Sequence, residues 1–253
     1  MIFSDPWNEL EYIECNETIA KKFYSRHPFS LDERSEERNV RVKVIKLLVK
    51  VVEVVKRLGI PFWLSCGSLL GHYRQCNVIH GSNHVDIGIK IQHFNPDLID
   101  LLSFNEIQLT HAYGRVNDSF QLSFYDGSID LNESIKLNQF ISVNEFIKRN
   151  ELTRLNIYFF YEESDHVWSG RTSVDDNGRK FKHYYNKFNL CWTNYLNEIV
   201  VRIPCPTLPY ILSSYGSTWF TPIKQWNWKS SPNLRSNGHW PRNESFQVID
   251  LIN

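Results

Sequence analysis

A histidine and an aspartate stand two residues apart in the run 82–89, which reads SNHVDIGI. The carboxylate of Asp86 can supply a hard oxygen ligand to Mg²⁺ or Mn²⁺. His84 offers no oxygen and is neutral or positive near pH 7, so it weakens the field that attracts such a cation. The pair therefore indicates a divalent-cation site that is weakened at one of its positions.

A Gly-Ser turn lies upstream of this pair, at Gly67 and Ser68. A helix that begins at such a turn offers backbone N–H groups and its positive end to a phosphate, and glycine lets the phosphate approach the backbone closely. Phosphoryl transfer combines phosphate binding with a metal that offsets developing charge. Taken alone, the pair is equally typical of an ordinary strand-to-helix turn.

Other catalytic patterns receive less support from the sequence. It contains no Gly-x-Ser-x-Gly elbow, no Walker loop and no dinucleotide-binding glycine fingerprint. His80 and His84 are four residues apart, as in helical zinc sites, but the residues 81–83 between them form a poor helix. We therefore expect loop histidines at these positions rather than zinc ligands.

The cysteines and the charge balance restrict the class of protein. Five cysteines include no Cys-x-x-Cys pair, and among internal disulfides we favour Cys191 with Cys205, with buried free thiols as the alternative. Lys plus Arg and Asp plus Glu both number 28, so we expect no nucleic-acid partner. The start is not a signal peptide and no apolar run could span a bilayer, so we expect no membrane contact from this segment. A domain cut from a longer, anchored protein fits equally well.

Hydrophobic periodicity predicts the elements that must position these residues. A capping box at Ser30 and Glu33 begins a helix whose wide apolar face should pack on a sheet and which ends at Gly59. Val85, Ile87 and Ile89 alternate with other residues, which predicts a strand in which His84 and Asp86 share the opposite face. Further strands are expected at 61–66, 107–116, 119–125 and 155–161, and short helices at 68–74 and 209–215.

These elements predict an α+β fold, with a small mixed β-sheet flanked by helices and a Trp-rich C-terminal extension that wraps around it. We divide the chain into an N-terminal polar segment, 1–40, and one domain, 41–253. Asn156 falls on the strand at 155–161 and could offer a neutral amide oxygen to the site. The polar segment 129–150 is interpreted as an insertion.

Longer motifs resemble the catalytic half of the fukutin family, within the LicD-like phosphotransferases. Residues 61–79 read PFWLSCGSLLGHYRQCNVI, and the resemblance continues collinearly to the C-terminal region. The further motifs are VDIG at 85–88, FFYEESDH at 159–166, KFNLCWT at 187–193 and WNWKSSPN at 226–233. The resemblance implies a nucleotidyltransferase-like fold for this region.

It also implies an activity: transfer of ribitol 5-phosphate from CDP-ribitol to a glycan or glycoprotein acceptor, in protein O-mannosylation in the Golgi lumen. The family's cofactor is Mg²⁺ or Mn²⁺ held by acidic side chains. Position by position, the donor phosphates are assigned to Gly67 and Ser68, and the metal to Asp86. We predict Asp86 and Arg74 as the catalytic residues.

The chain departs from the family where charge matters. The family's other acids fall on His84, Asn156 and Asn227. A site with acids at 84, 86 and 156 would carry about three negative charges, and this one keeps one; each lost contact to a cation costs on the order of 1–3 kcal/mol. From the resemblance we still expect an active CDP-alditol phosphotransferase; the alternative is a catalytically silent homologue that binds a glycan, a nucleotide or a partner protein, because His84 and Asn156 replace expected acids.

Overall fold

The computed structural model describes residues 11–128, 152–173, 178–224 and 226–241, and the backbone of 249–250. The predicted insertion at 129–150 lies outside these residues. Within them, the helices and strands in chain order are α1 Glu17–Arg26, α2 Leu31–Arg57, β1 Phe62–Leu64, α3 Cys66–Gln75, β2 His84–Lys90, α4 Asp97–Phe104, β3 Ile107–Arg115, β4 Asp118–Asp126, β5 Arg154–Glu162, β6 His166–Ser173, β7 Arg179–Asn186, β8 Asn189–Tyr195, β9 Ile199–Cys205, α5 Thr207–Tyr215, β10 Leu234–His239 and β11 Ile249–Asp250.

Helix α2 begins and ends as its sequence predicts. The Ser30 side chain accepts from the backbone N–H of Glu33, and the Glu33 carboxylate accepts from the backbone N–H of Ser30. The helix stops at Arg57, and Gly59 follows with a φ of 64°, in the left-handed region that glycine tolerates. Its apolar face is buried in the main hydrophobic core, together with the inward residues of β2.

The main sheet is mixed, which confirms the predicted α+β architecture. Its strands follow the order β10-β7-β6-β5-β4-β3-β11, and β2 pairs with both β1 and β5. The β2–β5 pair is parallel and the other pairs are antiparallel. In the parallel register Asp86 lies opposite Asn156, and His84 lies opposite Arg154. The sheet therefore brings two predicted site residues side by side.

The two faces of β2 differ as the alternation predicts. Val85, Ile87 and Ile89 are fully buried in the core. Asp86 and Gly88 lie on the other face, where a Cβ atom on Gly88 would approach the Trp63 indole to within 2.4 Å. The Trp63 side chain of the neighbouring strand β1 therefore covers this face at Gly88, whereas Asp86 contacts α3.

Two disulfides tie peripheral segments to this core. Cys191 and Cys205 are bonded across the β8–β9 hairpin, which confirms the favoured pairing. Cys15 is bonded to Cys76 at the end of α3, and Cys66 is a free thiol. The first described residues also form a bridge between Tyr12 and Trp192. Segment 11–15 is therefore anchored on the domain.

The C-terminal region adds more to the sheet than expected. Helix α5 forms where the sequence places it, and β10 then pairs with β7 as an edge strand of the main sheet. The Trp228 ring packs edge-on against Phe181 at 5.3 Å between ring centroids. The division at residue 40 stays a prediction, although α2 runs through that position. In the described part of the chain, no helix combines the length and the apolar character that crossing a membrane requires.

Candidate functional site

The site is centred on Asp86, which is 7% exposed. Its Oδ2 accepts a hydrogen bond from the backbone N–H of Gly67 at 3.0 Å, and its Oδ1 accepts one from Nδ2 of Asn156 at 2.9 Å. The backbone N–H of Asp86 donates to Oγ of Ser68 at 2.9 Å. The structure thus brings together four of the residues that the sequence predicts for the site.

Asp86 acts as a cap for α3. Ser65 occupies the N-cap position but makes no side-chain capping bond. The carboxylate of Asp86 instead satisfies one of the free N–H groups of the first turn and places negative charge at the positive helix end. The N–H of Gly67 and the hydroxyl of Ser68 both bond to Asp86, and their assignment to donor phosphates stays a prediction.

Asn156 is held in one orientation by its neighbours. Its Oδ1 accepts from Oγ of Ser123 on β4 at 2.9 Å, while its Nδ2 donates to Asp86. The amide oxygen is therefore directed toward Ser123, and the amide hydrogens face the carboxylate. A chain of hydrogen bonds runs from Ser123 through Asn156 to Asp86.

His84 is half-buried and lies two residues before Asp86, on the same face of β2. Burial lowers the pKa of His84 below 6.5, the positive charge of Arg154 adds to this, and the charge of Asp86 opposes it. The imidazole is therefore neutral at pH 7. His80 faces Glu33 and Glu36 at 4.0 and 3.8 Å, and no group of three His, Cys, Asp or Glu side chains could hold a metal among the described residues.

Arg171, on β6, supplies a cation that the sequence did not predict. Its guanidinium donates to the Tyr158 hydroxyl at 2.8 Å, and its central carbon lies over the rings of Tyr158 and Trp228, 4.8 and 5.2 Å from their centroids. Burial alone would lower the pKa of Arg171, but Tyr158, Cys66 and Asp86 together raise it above its ordinary value. Arg171 is thus a permanent cation that feels the charge of Asp86.

The sequence held a signal for only part of this arrangement. Tyr158 alternates with Asn156 on β5, so periodicity places it on the site face. Arg171 lies in a strand with no motif of its own, and its contact with Trp228 depends on the fold of the C-terminal region. Asn227 beside that tryptophan is exposed, and its side chain accepts from the backbone N–H of Lys229 at 2.9 Å.

Cys66 and Arg74 lie near opposite ends of α3 and differ in their surroundings. Burial, and then the charge of Asp86, raise the pKa of the Cys66 thiol to about 11, so the thiol stays protonated at pH 7. Arg74 lies at the opposite end of α3, where it donates to Oε1 of Gln75 at 2.9 Å and to the carbonyl of Trp219 at 3.3 Å. Its guanidinium lies over the Phe23 ring at 4.6 Å. These contacts are structural, and a catalytic role for Arg74 stays a prediction.

The residues around Asp86 do not fit a hard divalent cation. Such a cation takes several oxygen ligands, chiefly from carboxylates. Here both oxygens of the single carboxylate accept N–H groups, Asn156 presents amide hydrogens, and Arg171 adds a positive charge. These groups hold the carboxylate of Asp86 by hydrogen bonds and present no second carboxylate to a cation.

Residues 59–206 match the family model described as LicD/FKTN/FKRP, nucleotidyltransferase domain. The chain is similar to the "Ribitol-5-phosphate transferase FKTN" of Mus musculus, with 41% identity over 99% of this chain and 50% of that protein. The proteins of that name from Macaca fascicularis and Homo sapiens are 39% and 38% identical, with the same coverage. The chain spans about half the length of these relatives. It belongs to the LicD/FKTN/FKRP nucleotidyltransferase-domain family, as a fukutin-like member.

Proposed function

We propose that this chain is a catalytically silent fukutin-family domain that binds an alditol-phosphate ligand without a divalent cation. One observation carries the proposal: both carboxylate oxygens of Asp86 are already bonded to N–H groups of Gly67 and Asn156. The carboxylate that would anchor a metal is instead part of the fold.

The energetic cost of metal binding supports this view. A cation on Asp86 has only the carboxylate lone pairs that the hydrogen bonds from Gly67 and Asn156 leave free. It then meets the fixed positive charge of Arg171. The ligands that would repay this cost are absent at positions 84 and 156, which carry an imidazole and an amide.

The proton chemistry of transfer is weakened as well. Transfer to a glycan hydroxyl needs a base near the acceptor, with a pKa close to the operating pH. Asp86 already accepts two hydrogen bonds, and the lowered pKa of His84 makes that imidazole a weaker base. Neither side chain is prepared to take the hydroxyl proton.

The ligand class follows from the relatives. They are named ribitol-5-phosphate transferases, so we assign ribitol 5-phosphate, free or activated as CDP-ribitol, to the region beside Arg171 and Trp228. The two disulfides favour an oxidising compartment, in keeping with the Golgi lumen that the resemblance implies. The proposed partner is a glycan or glycoprotein of the kind that an active transferase would use as its acceptor.

Calorimetry with CDP-ribitol tests the proposal. We expect the same dissociation constant in EDTA and in MnCl₂, and no release of CMP when a phosphorylated glycan acceptor is added. Binding that requires Mn²⁺, or CMP release with modification of the acceptor, would contradict it.

The second candidate is metal-assisted transfer of ribitol 5-phosphate from CDP-ribitol to a glycan. It is favoured by the 38–41% identity to the named transferases over almost the whole chain. If it holds, CMP release depends on Mn²⁺ and disappears in Asp86→Ala. The same assay therefore separates the two candidates.

A further inference from the structure

We propose that Arg171 is the anion-binding residue of this site and takes over the charge-neutralising role of a divalent cation, while His183 accepts a hydroxyl of the same ligand. The inference rests on the proposed binding of an alditol phosphate and names the residues that recognise it. Neither residue belongs to the motifs that carry the family resemblance.

The first argument is that no carboxylate is hydrogen-bonded to Arg171. Buried or half-buried charges are normally paired, because desolvation of a lone ion is costly. Among the described residues no carboxylate forms an ion pair with Arg171, whose guanidinium donates to the neutral hydroxyl of Tyr158. The charge of Asp86 acts on Arg171 without a direct contact, since the carboxylate of Asp86 accepts from Gly67 and Asn156. An anionic ligand would supply the hydrogen-bonded counter-charge.

The second argument is the geometry of the guanidinium. Its central carbon lies over the rings of Tyr158 and Trp228, at 4.8 and 5.2 Å from their centroids. A guanidinium has five N–H donors in a fixed fork that matches the oxygens of a phosphate. The two ring contacts and the hydrogen bond to Tyr158 restrict the guanidinium before the ligand arrives, so little rotamer entropy is lost on binding.

The third argument is an unpartnered acceptor beside it. His183 is 5% exposed, and its Nε2 has no hydrogen-bond partner in the described part of the chain. Nδ2 of Asn233 donates to the carbonyl of Tyr184 at 3.0 Å, which directs Oδ1 of Asn233 toward Nδ1 of His183 at 3.1 Å. Nδ1 is therefore the protonated nitrogen, and Nε2 is left as an acceptor.

His183 and Arg171 are neighbours on one face of the sheet. In the β6–β7 register, Arg171 lies opposite Phe181 and His183 lies opposite Ser169, so the two side chains are diagonal neighbours on one face. Both lie beside Trp228, whose ring is 6.1 Å from the His183 ring. Burial and the charge of Arg171 lower the pKa of His183 to about 3, so Nε2 stays an acceptor at pH 7.

A cation and a neutral acceptor beside the same indole favour one class of ligand. The phosphate oxygens bind the guanidinium, and a hydroxyl of the alditol donates to Nε2 of His183. Unphosphorylated ribitol lacks the first contact, and inorganic pyrophosphate lacks the second. We therefore expect a phosphorylated polyol to bind more tightly than either.

The test compares Arg171→Gln with a matched control on the same hairpin. Lys182, opposite Gly170, is a cation on the other face, with its Nζ 3.6 Å from the Trp168 ring centroid. We expect Arg171→Gln to weaken CDP-ribitol binding in EDTA about 10- to 100-fold, Arg171→Lys to weaken it less, and Lys182→Gln to leave it unchanged. Circular dichroism and thermal melting establish that each variant is folded.

The readouts keep this inference distinct from the proposed function. If the unmodified protein binds CDP-ribitol only with Mn²⁺, the proposed function fails. Pyrophosphate then tests the anion site alone. Loss of pyrophosphate binding in Arg171→Gln, but not in Lys182→Gln, supports the inference. A folded Arg171→Gln variant that binds CDP-ribitol and pyrophosphate as the parent does overturns the inference, as does a parent that binds neither.

For His183→Phe we expect weaker CDP-ribitol binding with unchanged pyrophosphate binding. Unchanged binding of both ligands removes His183 from the site.

Discussion

Asn156 donates an amide N–H to Oδ1 of Asp86 at 2.9 Å across the parallel strands β2 and β5. A second carboxylate at the same distance would repel the first, unless it took up a proton or shared a cation with it. The amide of Asn156 instead donates to the carboxylate of Asp86 and needs neither.

Restoring the acids should create metal binding. In His84→Asp with Asn156→Asp, three carboxylates face one another, and we expect Mn²⁺ binding by calorimetry where the parent shows none. Without Mn²⁺ the double variant should melt at a lower temperature than the parent, because like charges repel, and Mn²⁺ should restore the loss. Asn189→Asp, at an exposed position on β8, controls for adding an acid elsewhere. A double variant that does not bind Mn²⁺ would refute the explanation that the missing acids prevent metal binding.

Removing the carboxylate of Asp86 should destabilise the fold itself. Asp86→Ala leaves the N–H of Gly67 and the amide of Asn156 without their acceptor, and a buried unsatisfied donor costs about 1–3 kcal/mol. We expect the free energy of unfolding, measured with urea, to fall by about 2 kcal/mol or more. Asp86→Asn should cost less, because its amide oxygen can still accept one bond. Full stability of Asp86→Ala would show that the cap is unimportant.

Local patterns predicted the centre of the site because it is built from neighbouring, regular elements. Alternation placed His84 and Asp86 on one strand face, and the Gly-Ser turn placed Gly67 at the start of α3. The parallel pairing of β2 with β5 then aligned Asn156 with Asp86. The first two steps use a period of two and a helix start, which are visible in the amino-acid order, whereas the strand pairing is seen only in the structure.

The remainder of the site depends on distant contacts. Arg171 reaches Trp228 only because the C-terminal region returns along β7 as β10. The strands β6 and β7 were not predicted, since Gly170 interrupts their alternation and polar residues occupy inward positions such as His183. Arg74 shares a helix with Gly67, but seven residues at 1.5 Å each separate them by about 10 Å along the axis.

Buried His72 should make stability depend on pH. Burial lowers the pKa of His72 to about 4, from 6.5 in the unfolded chain, and its Nε2 lies 3.0 Å from Oγ1 of Thr193. The unfolded state therefore binds the proton more tightly, and the free energy of unfolding should fall as the pH is lowered from about 6.5 to about 4. At full effect the loss is on the order of 3 kcal/mol.

Urea unfolding at pH 7.5, 6 and 5 measures this dependence. His72→Gln removes the titrating group and can keep a bond to Thr193, so its unfolding free energy should change less with pH than that of the parent. His239→Gln, an exposed position on β10, is the control and should follow the parent. Identical pH profiles for His72→Gln and the parent would assign the dependence to other groups.

The two disulfides should contribute unequally to stability. A bridge restricts the unfolded chain more when it closes a longer loop. In the chain-entropy model the stabilisation is about 3 kcal/mol for a loop of 15 residues and about 5 kcal/mol for a loop of 100 residues. The Cys15–Cys76 bond joins residues 61 apart, and the Cys191–Cys205 bond joins residues 14 apart.

Paired serine variants separate the two contributions. We expect Cys15→Ser with Cys76→Ser to lower the free energy of unfolding by about 4 kcal/mol, and Cys191→Ser with Cys205→Ser to lower it by about 3 kcal/mol. Cys66→Ser changes a free thiol without opening a loop, so it should have the smallest effect of the three. The reverse order for the two bridges would mean that the β8–β9 hairpin needs its bond for packing, because loop entropy alone favours the longer bridge.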